Sequence, residues 1–99
     1  MTQFEKPLFP LGRVVMTTNL EWTLLASDPD ALGELMGMFQ RHQSGDWGDL
    51  GAEDKALNDE AVKEGLRILS AYVTRKGIRL WIITEWDRSV TTALLPEDY

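Results

Sequence analysis

Ninety-nine residues, 43% of them hydrophobic, suffice for one domain spanning 1–99 and are too few for two cores. The absence of cysteine excludes a disulfide framework and any thiolate metal site. Sixteen acidic against ten basic side chains leave a net charge of −6, which argues against phosphate-backbone binding as the default; with no apolar run of bilayer length and no charged-then-apolar leader, the chain reads as cytoplasmic, with no membrane partner.

In chain order, Met1–Pro10 holds two prolines and no clear period, and reads as an extended lead-in that docks on its own domain or exchanges between two chains of a homodimer. Leu11–Thr18, with Val14, Val15 and Thr17, suits a short strand or extended segment. Asn19 is a cap for a short helix through Leu20, Trp22, Leu24 and Leu25. Ser27-Asp28-Pro29 then stops that helix and starts another, with either Asp28 capping before Pro29 or Ser27 capping ahead of Asp30. In the second helix Leu32, Leu35, Met36 and Phe39 fall at i, i+3, i+4 and i+7, one apolar stripe, and Gly33 and Gly37 weaken it or mark a close approach. Gln43–Gly51 is a glycine-rich loop around Trp47. Ala52–Glu64 is a helix with acids in its first turn, Leu57 and Ala61 inward, and Gly65 as its left-handed terminus.

The rest reads as β. Leu66–Thr74 and Ile78–Trp86 flank Arg75-Lys76-Gly77 as a hairpin; neither face of the second strand is polar throughout, so it belongs at the centre of the sheet. Asp87-Arg88-Ser89 is a turn, and Val90–Leu95 a third strand halted by Pro96. The expected fold is α+β: an N-terminal extended segment and two or three helices packed on a C-terminal antiparallel sheet of three to four strands.

Charge is unevenly placed. Asp46, Asp49, Glu53, Asp54, Asp59, Glu60 and Glu64 outweigh Lys55 and Lys63 between 46 and 64, for a net of −5. Arg67, Arg75, Lys76, Arg79 and Arg88 outweigh Glu85 and Asp87 between 65 and 88, for a net of +3. The layout is dipolar.

A set of residues carries a family likeness: Arg41-His42, Gly45-Asp46-Trp47-Gly48-Asp49-Leu50, Glu53-Asp54, Asn58, Gly65, Ser70-Ala71-Tyr72, Trp81-Ile82-Ile83-Thr84-Glu85, Asp87-Arg88-Ser89, Thr91-Thr92 and Leu94-Leu95-Pro96-Glu97-Asp98-Tyr99. The block resembles small proteins of bacterial plasmids, integrative elements and phages that carry loose labels such as plasmid-related or restriction-subunit-like protein. It covers about 41–99, and the Leu11-Gly12 segment weakly; the chain departs from the pattern between Thr17 and Gln40, and Trp86 replaces a small residue. The resemblance implies a mobile-element setting and no established catalytic activity.

Chemistry-bearing patterns are few. Pro29-Asp30 ahead of Glu53-Asp54-Lys55 has the spacing of a metal-dependent nuclease site, but both halves fall at helix N-termini, where proline and acids serve as caps. His42, the sole histidine, has no neighbouring nucleophile, and in a last helical turn a cationic ring suits the dipole. Glu85, Asp87 and Arg88 read as a turn with an ion pair across the hairpin or as a substrate clamp. Trp47, in its tight turn, reads as a core plug or as an interface anchor. No metal site and no cofactor is implied. The function expected is non-enzymatic: an anti-CRISPR or anti-restriction inhibitor whose acids Asp46, Asp49, Glu53, Asp54, Asp59, Glu60 and Glu64, with Trp47, cover a nucleic-acid-binding site of a host complex. A nucleic-acid-binding regulator using Arg67, Arg75, Lys76, Arg79 and Arg88 is the alternative.

Overall fold

The computed structural model describes residues 7–99. Strand β1 (Arg13–Met16) leads into helices α1 (Thr18–Ser27), α2 (Ala31–Gln43) and α3 (Ala52–Glu64). Strands β2 (Ile68–Val73), β3 (Arg79–Thr84) and β4 (Val90–Leu94) follow, and a 3₁₀ turn at Pro96–Asp98 ends the chain. The strands form one sheet in the order β1-β4-β3-β2. β2, β3 and β4 make the expected antiparallel meander, with β3 at its centre. β1 corrects the expectation of a purely antiparallel, C-terminal sheet. It returns from ahead of the helices to pair with β4 in parallel, Val14 opposite Thr91 and Met16 opposite Ala93.

One face of the sheet, bearing Tyr72, Leu80, Ile82 and Ala93, packs on Leu20 and Leu24 of α1 and on Ala31, Leu35 and Met38 of α2. A second cluster lies beside it, where Phe9, Trp47, Ala61 and Ile68 meet. Phe9 is buried, and the Leu8 N–H bonds the Gln43 carbonyl, so the described part of the lead-in docks on its own domain. Its first six residues lie outside the described part.

Helix boundaries shift for local reasons. Thr17, not Asn19, caps α1, its hydroxyl accepting the Leu20 N–H at 3.2 Å. Asp28 caps neither helix as a start. It closes α1, and its carboxylate accepts the Asp30 N–H at 2.9 Å, so α2 begins at Ala31 with Asp30 in the cap position. The buried stripe of α2 is Ala31, Leu35, Met38 and His42; Leu32 and Met36, expected inward, are exposed, and Phe39 is half-buried. The helix is turned because His42 enters the core with hydrogen-bond partners. Gly33 and Gly37 have open space beside them and mark no close approach.

In α3 the inward positions are Asn58 and Ala61, and Leu57 is 65% exposed. A polar residue takes the buried place because its carboxamide imitates a peptide. Asn58 donates to the Leu69 carbonyl at 2.7 Å and accepts the Leu69 N–H at 3.3 Å, pairing with the outer edge of β2. Two residues farther along, the Trp47–Asp49 segment takes over: the Ala71 N–H bonds the Trp47 carbonyl and the Asp49 N–H bonds the Ala71 carbonyl. Only glycine fits between them, since Gly48 has φ +76° and a Cβ there would run into the Ala71 carbonyl oxygen.

Candidate functional site

The loop between α2 and α3 is built around Trp47. Its indole is 3% exposed, stacks on Phe9 at 6.3 Å between centroids, meets His42 edge-on at 5.9 Å, and donates its N–H to Asp59 at 2.9 Å. Of the two sequence readings the core plug is the observed one; Trp47 has no face to offer a partner. Asp46 is engaged as well. It accepts from Arg41 at 2.7 Å and from the Gly48 N–H, while its own carbonyl accepts the Tyr72 hydroxyl at 2.6 Å. Arg41 holds the Asp46 carboxyl below the usual carboxylate range. Asp59 is tied to the indole. The acidic set therefore divides: Asp46, Trp47 and Asp59 hold the loop to the helix, and the remaining acids face outward.

Those outward residues form a pattern. Glu53, Leu57, Glu60 and Glu64 stand at i, i+4, i+7 and i+11, a stripe beside the buried face of Asn58 and Ala61, and all four are exposed. Asp54 is exposed in the first turn, where it also complements the helix dipole. Among the described residues no cation stands within salt-bridge distance of Glu53, Asp54, Glu60 or Glu64; Asp49 lies 3.9 Å from Arg79. Leu57 is the member that sequence reasoning misplaced. The signal that finds it is the competing claim of Asn58, one position on, which has backbone groups to satisfy.

The basic residues do not gather. Arg75, in the β2–β3 turn, bonds Asp28 at 2.8 Å and Asp30 at 3.3 Å. Lys76 sits beside it in the same turn, and Arg79 opens β3 against Asp49. At the opposite end of the sheet Arg67 meets Glu85 at 3.9 Å, stacks on the Tyr99 ring and hydrogen-bonds its hydroxyl. Arg88 takes φ +60° in the β3–β4 turn and donates to the carbonyls of Ala61, Leu66 and Glu85, so it plugs the end of α3 and carries no clamp. Four of the five are held by partners, Arg75 and Arg79 at one end of the sheet and Arg67 and Arg88 at the other.

The nuclease spacing is likewise spent on helix starts. Asp30 sits at the head of α2 against Arg75, and Glu53 and Lys55 lie in the first turn of α3 instead of on a strand. Among the described residues no three His, Asp or Glu side chains gather as a metal site.

His42 is fully buried, which corrects the expectation of a cationic ring at a helix end. Its surroundings fix its proton. The Thr91 hydroxyl gives its hydrogen to the Leu11 carbonyl at 2.7 Å, so Thr84 must donate across the 2.7 Å contact to Thr91. Thr84 is then free only to accept from His42 Nε2 at 2.9 Å, and His42 Nδ1 accepts from Ser70 at 2.5 Å. The ring is the neutral Nε2–H tautomer. Burial, reinforced by the positive Arg88, pushes its pKa down to about 3. The Ser70–His42 pair has the spacing of a nucleophile and base, yet neither residue is exposed to solvent. It is a tie across the sheet.

Comparison with protein-family models, with curated proteins and with solved structures finds no match. No helix among the described residues is long and apolar enough to cross a membrane.

Proposed function

We propose that this chain is a non-enzymatic interaction protein of a mobile genetic element, an anti-CRISPR or anti-restriction inhibitor that lays an acidic helix over a basic, nucleic-acid-binding patch of a host defence complex. The observation that supports the reading is the outward stripe of α3: Glu53, Glu60 and Glu64 around an exposed Leu57, unpaired among the described residues. From 53 to 64 the stripe runs roughly 16 Å along a rigid helix. Carboxylates held at fixed spacing steer a cationic partner from a distance and set its register, while a central apolar side chain supplies contact area. The mobile-element setting comes from the resemblance of residues 41–99; the acidic helix supplies the mode of action.

Captured by CRISPR or restriction effector complexes, the full-length protein should bind in a salt-sensitive way, because exposed charges are screened. The combined variant Glu53→Lys, Asp54→Lys, Glu60→Lys and Glu64→Lys leaves Asp46 and Asp59 in place and should keep its circular dichroism while losing the partner. A folded variant that still binds as the parent does overturns the acidic-helix reading.

A further inference from the structure

The sheet has a second edge, β1, and no strand among the described residues pairs along it. In the parallel ladder the N–H groups of Arg13 and Thr17 bond the carbonyls of Ser89 and Ala93, and alternation assigns Val15 to the same side. The N–H and C=O groups of Val14 and Met16 therefore point away from β4, and among the described residues nothing pairs with them. The strand carries no proline and no bulge to blunt it, and its one charge, Arg13, sits at its start. Val14 is 48% exposed on the helix-bearing face.

We infer that a second copy of this chain pairs with β1, antiparallel, about a two-fold axis through Val15. The sequence is complementary to itself in that register. Val14 lies opposite the partner's Met16 as a hydrogen-bonded pair exchanging both backbone bonds, and Met16 does the same with the partner's Val14. Val15 meets the partner's Val15 on the other face, and Arg13 meets the partner's Thr17, so no like charges are set against each other. The two sheets become one, with both sets of helices on the same side. The acidic α3 helices, which flank the β2 edges, come to lie at its two far ends. This dimer is independent of what α3 binds.

Light scattering coupled to size exclusion, over a dilution series through the micromolar range, should show the full-length protein as a dimer. Val14→Pro removes an N–H that bonds nothing within the described chain and should raise the dissociation constant about tenfold or more. If that variant does not fold, Val14→Lys provides the same edge block at an exposed position. Amide hydrogen exchange of Val14 and Met16 should slow as concentration rises. A protein monomeric throughout the series overturns the inference. A dimer that folded Val14→Lys leaves intact overturns it too, as does concentration-independent protection of Val14 and Met16, which would place the chain's own residues on this edge.

Discussion

The two edges of this sheet are treated in opposite ways. Along β2 every outward backbone group of Leu69 and Ala71 is satisfied, first by the Asn58 carboxamide and then by the loop through Trp47 and Gly48. Along β1 the corresponding groups of Val14 and Met16 face outward with no partner among the described residues. The seal over Leu69 and Ala71 spends a buried polar residue, a left-handed glycine and an aromatic plug, and leaves only Val73, at the end of the strand, without an outward partner among the described residues. That expenditure at one side teaches that edge protection is a solvable problem for this fold, and the β1 side, without a partner among the described residues, is where the proposed pairing is put to the test.

The largest effect should come from removing the plug. Trp47→Ala takes away the ring that Phe9, His42 and Ile68 pack around and the N–H that holds Asp59. A loss of about 3–5 kcal/mol in denaturant unfolding is expected, with the 47–49 segment released from β2. A smaller loss would mean that the seal is held mainly by its backbone bonds.

Acid should act next, through the tie that joins the two edges. Ser70 stands on β2, Thr84 on β3 and Thr91 on β4, and the last bond reaches Leu11 just ahead of β1. In the unfolded chain His42 titrates near 6.5, and in the folded protein its pKa is about 3. Below pH 6.5 the unfolded chain takes up a proton that the folded chain refuses, so stability falls with pH across that window. By pH 5 the loss should be about 2 kcal/mol, measured by urea unfolding, and it should vanish in His42→Gln. Asp28, Asp46 and Asp98, whose pKa values lie below their usual 3.8, contribute stability that disappears only at lower pH.

The smallest changes test the edges directly. Asn58→Leu leaves the Leu69 N–H and C=O unpaired and should cost about 1–3 kcal/mol, with faster exchange of the Leu69 amide. Val14→Thr, at the β1 edge, should change stability by no more than about 0.5 kcal/mol. Equal costs at the two positions would erase the distinction between the edges.

What the residues revealed ahead of the coordinates was mostly pattern. The β2–β3–β4 meander follows from glycine-bearing turns and an apolar central strand, and the helices follow from composition and the stop signals between them, while the residues that cap α1 and α2 are not those expected. Gly65, in the left-handed conformation at φ +69°, ends α3 where expected. Three features needed the tertiary structure. β1 pairs with β4, 77 residues on from Arg13–Val90 to Met16–Ala93, a contact that no local period reports. α2 rotates because a neutral histidine with two hydroxyl partners is as fit for the core as a leucine. Asn58 outranks Leu57 because an edge peptide needs a partner more than an apolar side chain needs burial. At the candidate site the acidic helix was legible from charge density, whereas the engagement of Asp46 and Asp59 and the burial of Trp47 depended on which side of the loop β2 passes.

The pairing of β1 with β4 also sets a timetable. A chain made from its N-terminus produces β1 early, yet its partner strand comes only at Val90–Leu94, and Asp98, which accepts from Thr17 at 2.7 Å and Asn19 at 2.8 Å, comes later still. During synthesis the helices are present without the sheet that buries their apolar faces, so the native domain closes only after β4 and the turn at Pro96–Asp98 have emerged. Such long-range closure slows folding and leaves apolar surface open in the interval. Val90–Leu94 and Asp98 thus act as the latch for a strand made more than seventy residues earlier.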